Sequence, residues 1–94
     1  MIEITFNAFS FLQKKLKARQ IEYSNVRMTI KQGSSAKDLI NHVQLTLDEV
    51  EVVFINGKVA PLNTVIHNND RVALIPHGTP GPYRVLLGFK NKNL

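Results

Sequence analysis

The stretch that decides the fold is Val52-Val53-Phe54-Ile55-Asn56-Gly57-Lys58, followed by a short polar connection and then Asn68-Asn69-Asp70-Arg71-Val72-Ala73-Leu74-Ile75-Pro76. An apolar run ends in Asn-Gly, a pair that tolerates the positive φ a tight hairpin-like turn demands. A second apolar run is launched by Asn-Asn-Asp and stopped by proline. Both runs have strand length, and the first is apolar at nearly every position. That pattern predicts a strand buried on both faces.

Working outward, Ile2, Ile4 and Phe6 alternate with Glu3, Thr5 and Asn7, which is the period of a half-buried strand. Val26, Met28 and Ile30 alternate in the same way with Arg27, Thr29 and Lys31 within residues 21–30. The two are expected to pair as an opening antiparallel hairpin. Between them, Phe9, Leu12 and Leu16 recur at helical spacing among Lys and Gln, so residues 8–25 read as a short helix or a structured loop. Gln32-Gly33-Ser34-Ser35 breaks the second strand. Ser34 or Ser35 can accept a hydrogen bond from a first-turn amide, and Asp38 lies near the positive end of the helix that follows. Ala36, Leu39, Ile40 and Val43 form its apolar stripe at i, i+3, i+4, i+7. Val59, Leu62, Val65 and Ile66 read as scattered core contributors around Pro61. The order is strand, strand, helix, strand, strand.

Composition narrows the function. The chain has 94 residues and 44% hydrophobic residues, enough for one modest core. It has no cysteine, which excludes disulfides, thiol catalysis, iron–sulfur clusters and thiolate zinc sites. No apolar run approaches the roughly 20 residues of a membrane span, and Met1-Ile2-Glu3-Ile4 lacks a signal-peptide pattern; the expectation is a soluble, cytoplasmic protein with no membrane partner. The net charge is +5, concentrated at Lys14, Lys15, Lys17 and Arg19 and again at Arg84, Lys90 and Lys92. Such a surface attracts nucleic acid, acidic protein or anionic lipid without choosing among them. A stacking platform from Phe9, Phe11 and Tyr23 is conceivable, but the aromatics are few and sit at core-like positions, so nucleic acid is not the expected partner.

The chemistry-bearing residue types give little. His42, His67 and His77 match no compact metal spacing, and neither a metal nor a cofactor is expected. Asp48, Glu49 and Glu51 read as a solvated strand entry, since acid–base catalysis needs a cleft that so small a domain rarely has. No Gly-x-Ser-x-Gly elbow surrounds Ser34-Ser35, and Gly78-Thr79-Pro80-Gly81 lacks the ending of a phosphate loop. The expectation is a protein that is not an enzyme.

The Ile55-Asn56-Gly57-Lys58 turn and the Asn69-Asp70-Arg71-Val72-Ala73-Leu74-Ile75-Pro76 strand resemble the second half of the ThiS/MoaD family of sulfur carriers, and the resemblance covers residues 1–81. Asn69 stands where that family usually has glycine; asparagine also tolerates positive φ. The resemblance implies an α+β fold of the ubiquitin-like β-grasp kind: a mixed four- to five-stranded sheet crossed by one main helix, with residues 1–82 as the domain and 83–94 as an extension. It also implies a mechanism. Family members end in Gly-Gly. An adenylating enzyme of the ubiquitin-activating type activates that carboxylate, sulfur replaces an oxygen, and a cofactor-synthesising enzyme takes the sulfur to a thiazole or a molybdopterin precursor. Glycine is the residue thin and flexible enough to thread into such a site.

This sequence departs from the family where the chemistry occurs. Pro80-Gly81 stands at the place of Gly-Gly, and thirteen residues follow. Processing after Gly81, or after Gly88, would expose a glycine carboxylate; these two are the candidate sulfur acceptors. Alternatively the chain is a non-catalytic β-grasp interaction module or, further off, an RNA-binding module similar to the TGS domain. Val85, Leu86, Leu87 and Phe89 are costly to leave wholly exposed. Leu74, Pro76, Tyr83, Leu86 and Phe89 are the candidate partner contacts, with core packing the competing role for each of Leu74, Pro76 and Leu86.

Overall fold

A computed structural model of the chain describes residues 1–77. Five strands and two helices are laid out in the order β1 (Ile2–Ala8), α1 (Phe11–Ala18), β2 (Val26–Ile30), α2 (Ala36–His42), a 3-10 turn (Leu47–Glu49), β3 (Val50–Ile55), β4 (Lys58–Ala60) and β5 (Arg71–Pro76). The strands form one sheet in the order β2-β1-β5-β3-β4. β1 pairs antiparallel with β2 and parallel with β5, and β3 lies antiparallel between β5 and β4. This is the β-grasp arrangement expected from the sequence, in its five-stranded form.

The alternation of β1 is realised in full. Ile2, Ile4, Phe6 and Ala8 are buried while Glu3, Thr5 and Asn7 point to the other face. The α2 stripe is realised too, since Ala36, Leu39, Ile40 and Val43 are all buried. They pack with Leu12 and Leu16 of α1, and with Val53, Val72 and Leu74 from the sheet, in one core cluster. Residues 8–25 thus resolve as a true short helix, α1, whose buried pair at i, i+4 carries the packing.

Three expectations need correction. β2 begins only at Val26; the preceding Ile21 and Tyr23 lie outside the strand and pack partly buried against the core. Lys58–Ala60, read as part of a polar connection, is strand β4, the second arm of a hairpin with β3: Ile55 pairs with Lys58 and Phe54 with Val59 across a two-residue Asn56-Gly57 turn. Of the four scattered residues assigned to the core, only Ile66 is buried. Val59, Leu62 and Val65 are exposed, because β4 is an edge strand and the following connection runs over the surface.

The starts of α2 and of the 3-10 turn rest on reciprocal caps. Ser35 caps α2: its Oγ accepts from the Asp38 N–H at 3.2 Å, and Asp38 Oδ2 accepts from the Ser35 N–H at 2.9 Å. Thr46 and Glu49 form the same box at the 3-10 turn, and Lys15 of α1 bridges to Glu49. The backbone and side-chain hydrogen bonds of Ser35 hold the Asp38 carboxyl below its ordinary value. Lys15, then the Thr46 amide, does the same for Glu49. A carboxyl depressed by folding stabilises the native state above its unfolded pKa and loses that contribution as pH falls through its folded one. Stability is therefore expected to decline as the solution is acidified below about pH 4, where free carboxyls titrate. Urea midpoints measured across pH should show that slope flattened in Asp38→Asn and Glu49→Gln. Unchanged slopes in both variants would refute the assignment.

Candidate functional site

β5 runs between β1 and β3, and its two ends have different characters. At its start the polar residues of the two diagnostic motifs meet. Asn56 has φ 54 and Gly57 φ 82, so both central turn positions are left-handed, as a two-residue hairpin of this kind requires. That geometry aims the Asn56 side chain across at the beginning of β5. Its Nδ2 donates to Asp70 Oδ1 at 2.8 Å, and its Oδ1 accepts from the Arg71 N–H at 3.0 Å. The Asn56 N–H donates to the Arg71 carbonyl at 2.8 Å. The other carboxylate oxygen of Asp70 accepts from the His67 N–H at 2.8 Å. Asn69 adopts φ 69 and its N–H donates to the Glu3 carbonyl, tying the turn to β1. The Asn-Gly and Asn-Asp motifs are thus two halves of one latch that sets where β5 begins.

At its other end β5 leads toward the C-terminal segment. Leu74 has no exposed surface and lies within the core cluster; Pro76 is also buried, paired with Val50 at the last position of the ladder. Alternation explains both placements. Val72 and Leu74 face the core cluster, and the two-residue period of β5 carries Pro76 to the same side, while its register with β3 shifts between Val52 and Val50. In this conformation both residues pack the domain. Gly81, Gly88, Tyr83, Leu86 and Phe89, and the expected boundary between residues 82 and 83, lie outside the described residues.

The reverse face of the sheet divides into two halves. Cross-strand partners share a face, so Glu3, Thr5, Arg27 and Thr29 make its β1–β2 half polar, with Arg27 reaching Glu3 at 3.2 Å. The β5–β3–β4 half presents Ala73 opposite Phe54, Ile75 opposite Val52, and Val59 beyond Phe54. Phe9, whose N–H donates to the Leu74 carbonyl at 3.1 Å, extends this apolar area past the end of β1. A concavity of about 270 Å³ opens here, lined by Asn7, Phe9, Phe54, Gly57, Arg71 and Ala73. Sequence reasoning did not single out this area. Its signal was the nearly unbroken Val52-Val53-Phe54-Ile55 run, which marks a strand whose two faces are both apolar.

The remaining candidates resolve as structural. Glu49 belongs to a cap and an ion pair, not to a carboxylate dyad. Among the described residues no group of three or more His, Asp or Glu side chains is placed to hold a metal ion. Tyr23 packs against the core while Phe11 is exposed and Phe9 lines the concavity. Among the described residues no helix is long and apolar enough to cross a membrane.

Comparison with known proteins agrees with this geometry. The family model of the ThiS family matches residues 15–81. The chain therefore belongs to the ThiS family. Among solved structures it resembles small archaeal modifier protein 1 of H. volcanii, with TM-score 0.62 and 17% identity over 81% of this chain and 98% of that one. A Pyrococcus furiosus protein described as molybdopterin converting factor, subunit 1, matches with TM-score 0.62 and 12% identity, over 81% and 98% of the two chains. A further structure of SAMP1 from Haloferax volcanii gives TM-score 0.59 and 19% identity, over 84% and 99%. At these identities the structural matches speak for the fold. No curated protein matches the chain in sequence.

Proposed function

We propose that this protein is a carrier that works through a C-terminal glycine carboxylate exposed by processing, with Gly81 the first candidate and Gly88 the second. The observation that carries the reading is the extent of the family match, which continues past β5 and ends at residue 81. In the matched region the chain leaves a latched, buried strand at Pro76 and reaches Gly81 five residues later. A firmly held strand end five residues before a glycine suits a carrier that has to present a carboxylate to a narrow active site.

The partners follow from the chemistry. An adenylating enzyme joins the glycine carboxylate to the α-phosphate of ATP and releases pyrophosphate. Hydrosulfide then attacks the acyl carbon, AMP leaves with the bonding electron pair, and loss of the remaining proton leaves the carrier ending in a thiocarboxylate. A cofactor-synthesising enzyme consumes that sulfur. The carrier's side chains take no part in bond making, so the protein is itself no enzyme. The molybdopterin and modifier descriptions attached to its structural relatives support carboxylate activation as the shared step, and the cytoplasm, where ATP is available, is the proposed location.

Intact mass of the protein isolated from its native cells tests this reading. A species ending at Gly81 or Gly88, and a heavier form in which one oxygen is exchanged for sulfur, is the expected result. A single species ending at Leu94, unaltered by an adenylating enzyme with ATP and a sulfur donor, would overturn it. That outcome would leave the β-grasp domain as a protein-interaction module.

A further inference from the structure

We propose that Asn56 is this chain's site of spontaneous deamidation, held in check by the latch to β5, and that its conversion to aspartate or isoaspartate releases the latch. The proposal is independent of carboxylate activation and holds whether or not the chain carries sulfur.

The chemistry starts from the sequence. Of the nine asparagines only Asn56 precedes a glycine. Glycine has no side chain to crowd its own nitrogen, so that nitrogen can approach the preceding carboxamide. In the reaction the Gly57 nitrogen gives its proton to water and attacks Asn56 Cγ. A carbon–nitrogen bond forms, the bond from Cγ to Nδ2 breaks, and Nδ2 leaves with the bonding pair and a proton as ammonia. The product is a cyclic imide. Water adds to one of its two carbonyls and opens the ring. Cleavage on the side-chain side gives aspartate. Cleavage on the main-chain side gives isoaspartate, in which the backbone runs through the former side chain.

The turn is open to the water that this chemistry needs. Asn56, Gly57 and Lys58 are all exposed, and a β-carbon placed on Gly57 would meet nothing within 4 Å. Access therefore does not limit the reaction; the bonding of the carboxamide does. Its Nδ2 donates to Asp70 Oδ1 at 2.8 Å, and its Oδ1 accepts from the Arg71 N–H at 3.0 Å. The Asn56 N–H is held by the Arg71 carbonyl at 2.8 Å. Ring closure needs the carboxamide to swing back over the Gly57 nitrogen, a movement that breaks both side-chain bonds. The rate is then set by how often the latch opens locally.

The products cannot close the latch again. A carboxylate in place of the carboxamide has no donor for Asp70 Oδ1. It sets a second negative charge at hydrogen-bond distance from a carboxylate that is only 14% exposed, where water screens it poorly. Isoaspartate lengthens the main chain of a two-residue turn, and the Ile55–Lys58 pairing cannot keep its register. Either product frees the start of β5 at Arg71.

The full-length protein, held at neutral pH and then digested, provides the test. Mass spectrometry follows conversion of the peptide that contains Asn56, with aspartate and isoaspartate separated by chromatography. Conversion in the native protein is expected to be at least about tenfold slower than in the same chain unfolded in guanidinium chloride, a factor that two such hydrogen bonds account for. Asp70→Ala should raise the native rate severalfold. Leu74→Ala, which weakens the core and leaves the latch intact, should raise it less. A native wild-type rate equal to the unfolded one would overturn the proposal. So would a Leu74→Ala rate that matches or exceeds that of Asp70→Ala, because global unfolding would then gate the reaction. Asn56→Asp carries one product directly, and hydrogen exchange of its Arg71 amide should be severalfold faster than in the wild type. Unchanged exchange there would refute the release of the latch.

Discussion

Leu74→Ala is expected to lower the stability of the domain by about 2–5 kcal/mol, the range for removing a buried leucine from a core that relaxes only partly. The side chain has no exposed surface and lies at the middle of β5, with β1 on one side through Ala8 and β3 on the other through Val53. Leu39 and Ile40 of α2 and Leu12 of α1 share its cluster. No single neighbour can collapse into the space without shifting a strand or a helix, so the upper part of the range is the better expectation. Domains of this size have about 5–15 kcal/mol in all, and the variant should unfold at a visibly lower urea concentration with an unchanged slope. Val59→Ala at the exposed edge strand is the control and should alter the midpoint little. A Leu74→Ala midpoint equal to the wild type would mean that Leu74 is surface in solution, free to serve as a partner contact instead of core.

The contrast between those two valine and leucine positions shows what the sequence carries and what it leaves open. Where one face of an element is polar, alternation settles the buried side: Ile2, Ile4 and Phe6 in β1, and the Ala36, Leu39, Ile40, Val43 stripe in α2, follow directly from spacing. Val59, Leu62 and Val65 carry the same apolar character, but no pattern in the sequence says that β4 is an edge strand; that depends on strand order, a long-range property. Leu74 and Ile75 illustrate the other limit. Adjacent apolar residues in a strand point to opposite faces, so one belongs to the inner core and the other to the reverse face. The sequence shows that both faces are apolar without showing what covers the second. The candidate glycines differ again, because a carboxylate made by processing depends on a cleavage that neither period nor burial encodes.

Asn56→Ala should be the costliest substitution of an exposed residue in the domain, at about 2–5 kcal/mol. Two effects add. Alanine at φ 54 pays the penalty of a β-carbon in the left-handed region, about 1–2 kcal/mol, and two hydrogen bonds across the latch are lost at about 0.5–1.5 kcal/mol each. The loss extends beyond the turn, because Asp70 is only 14% exposed and would keep the His67 N–H as its partner but lose the Asn56 amide. Asn56→Gly separates the terms: glycine accepts the backbone geometry at no steric cost, so its deficit reports the side-chain bonds alone and should be about half that of alanine. In a double-mutant cycle, Asn56→Ala and Asp70→Ala share a partner and should cost less together than the sum of each alone. Strict additivity would show that the two motifs act separately. Coupling would show that the Asn-Gly turn and the Asn-Asp turn, far apart in the chain, are held in one sequence pattern because together they fix the first residue of β5. From that residue the register runs along β5 to Pro76.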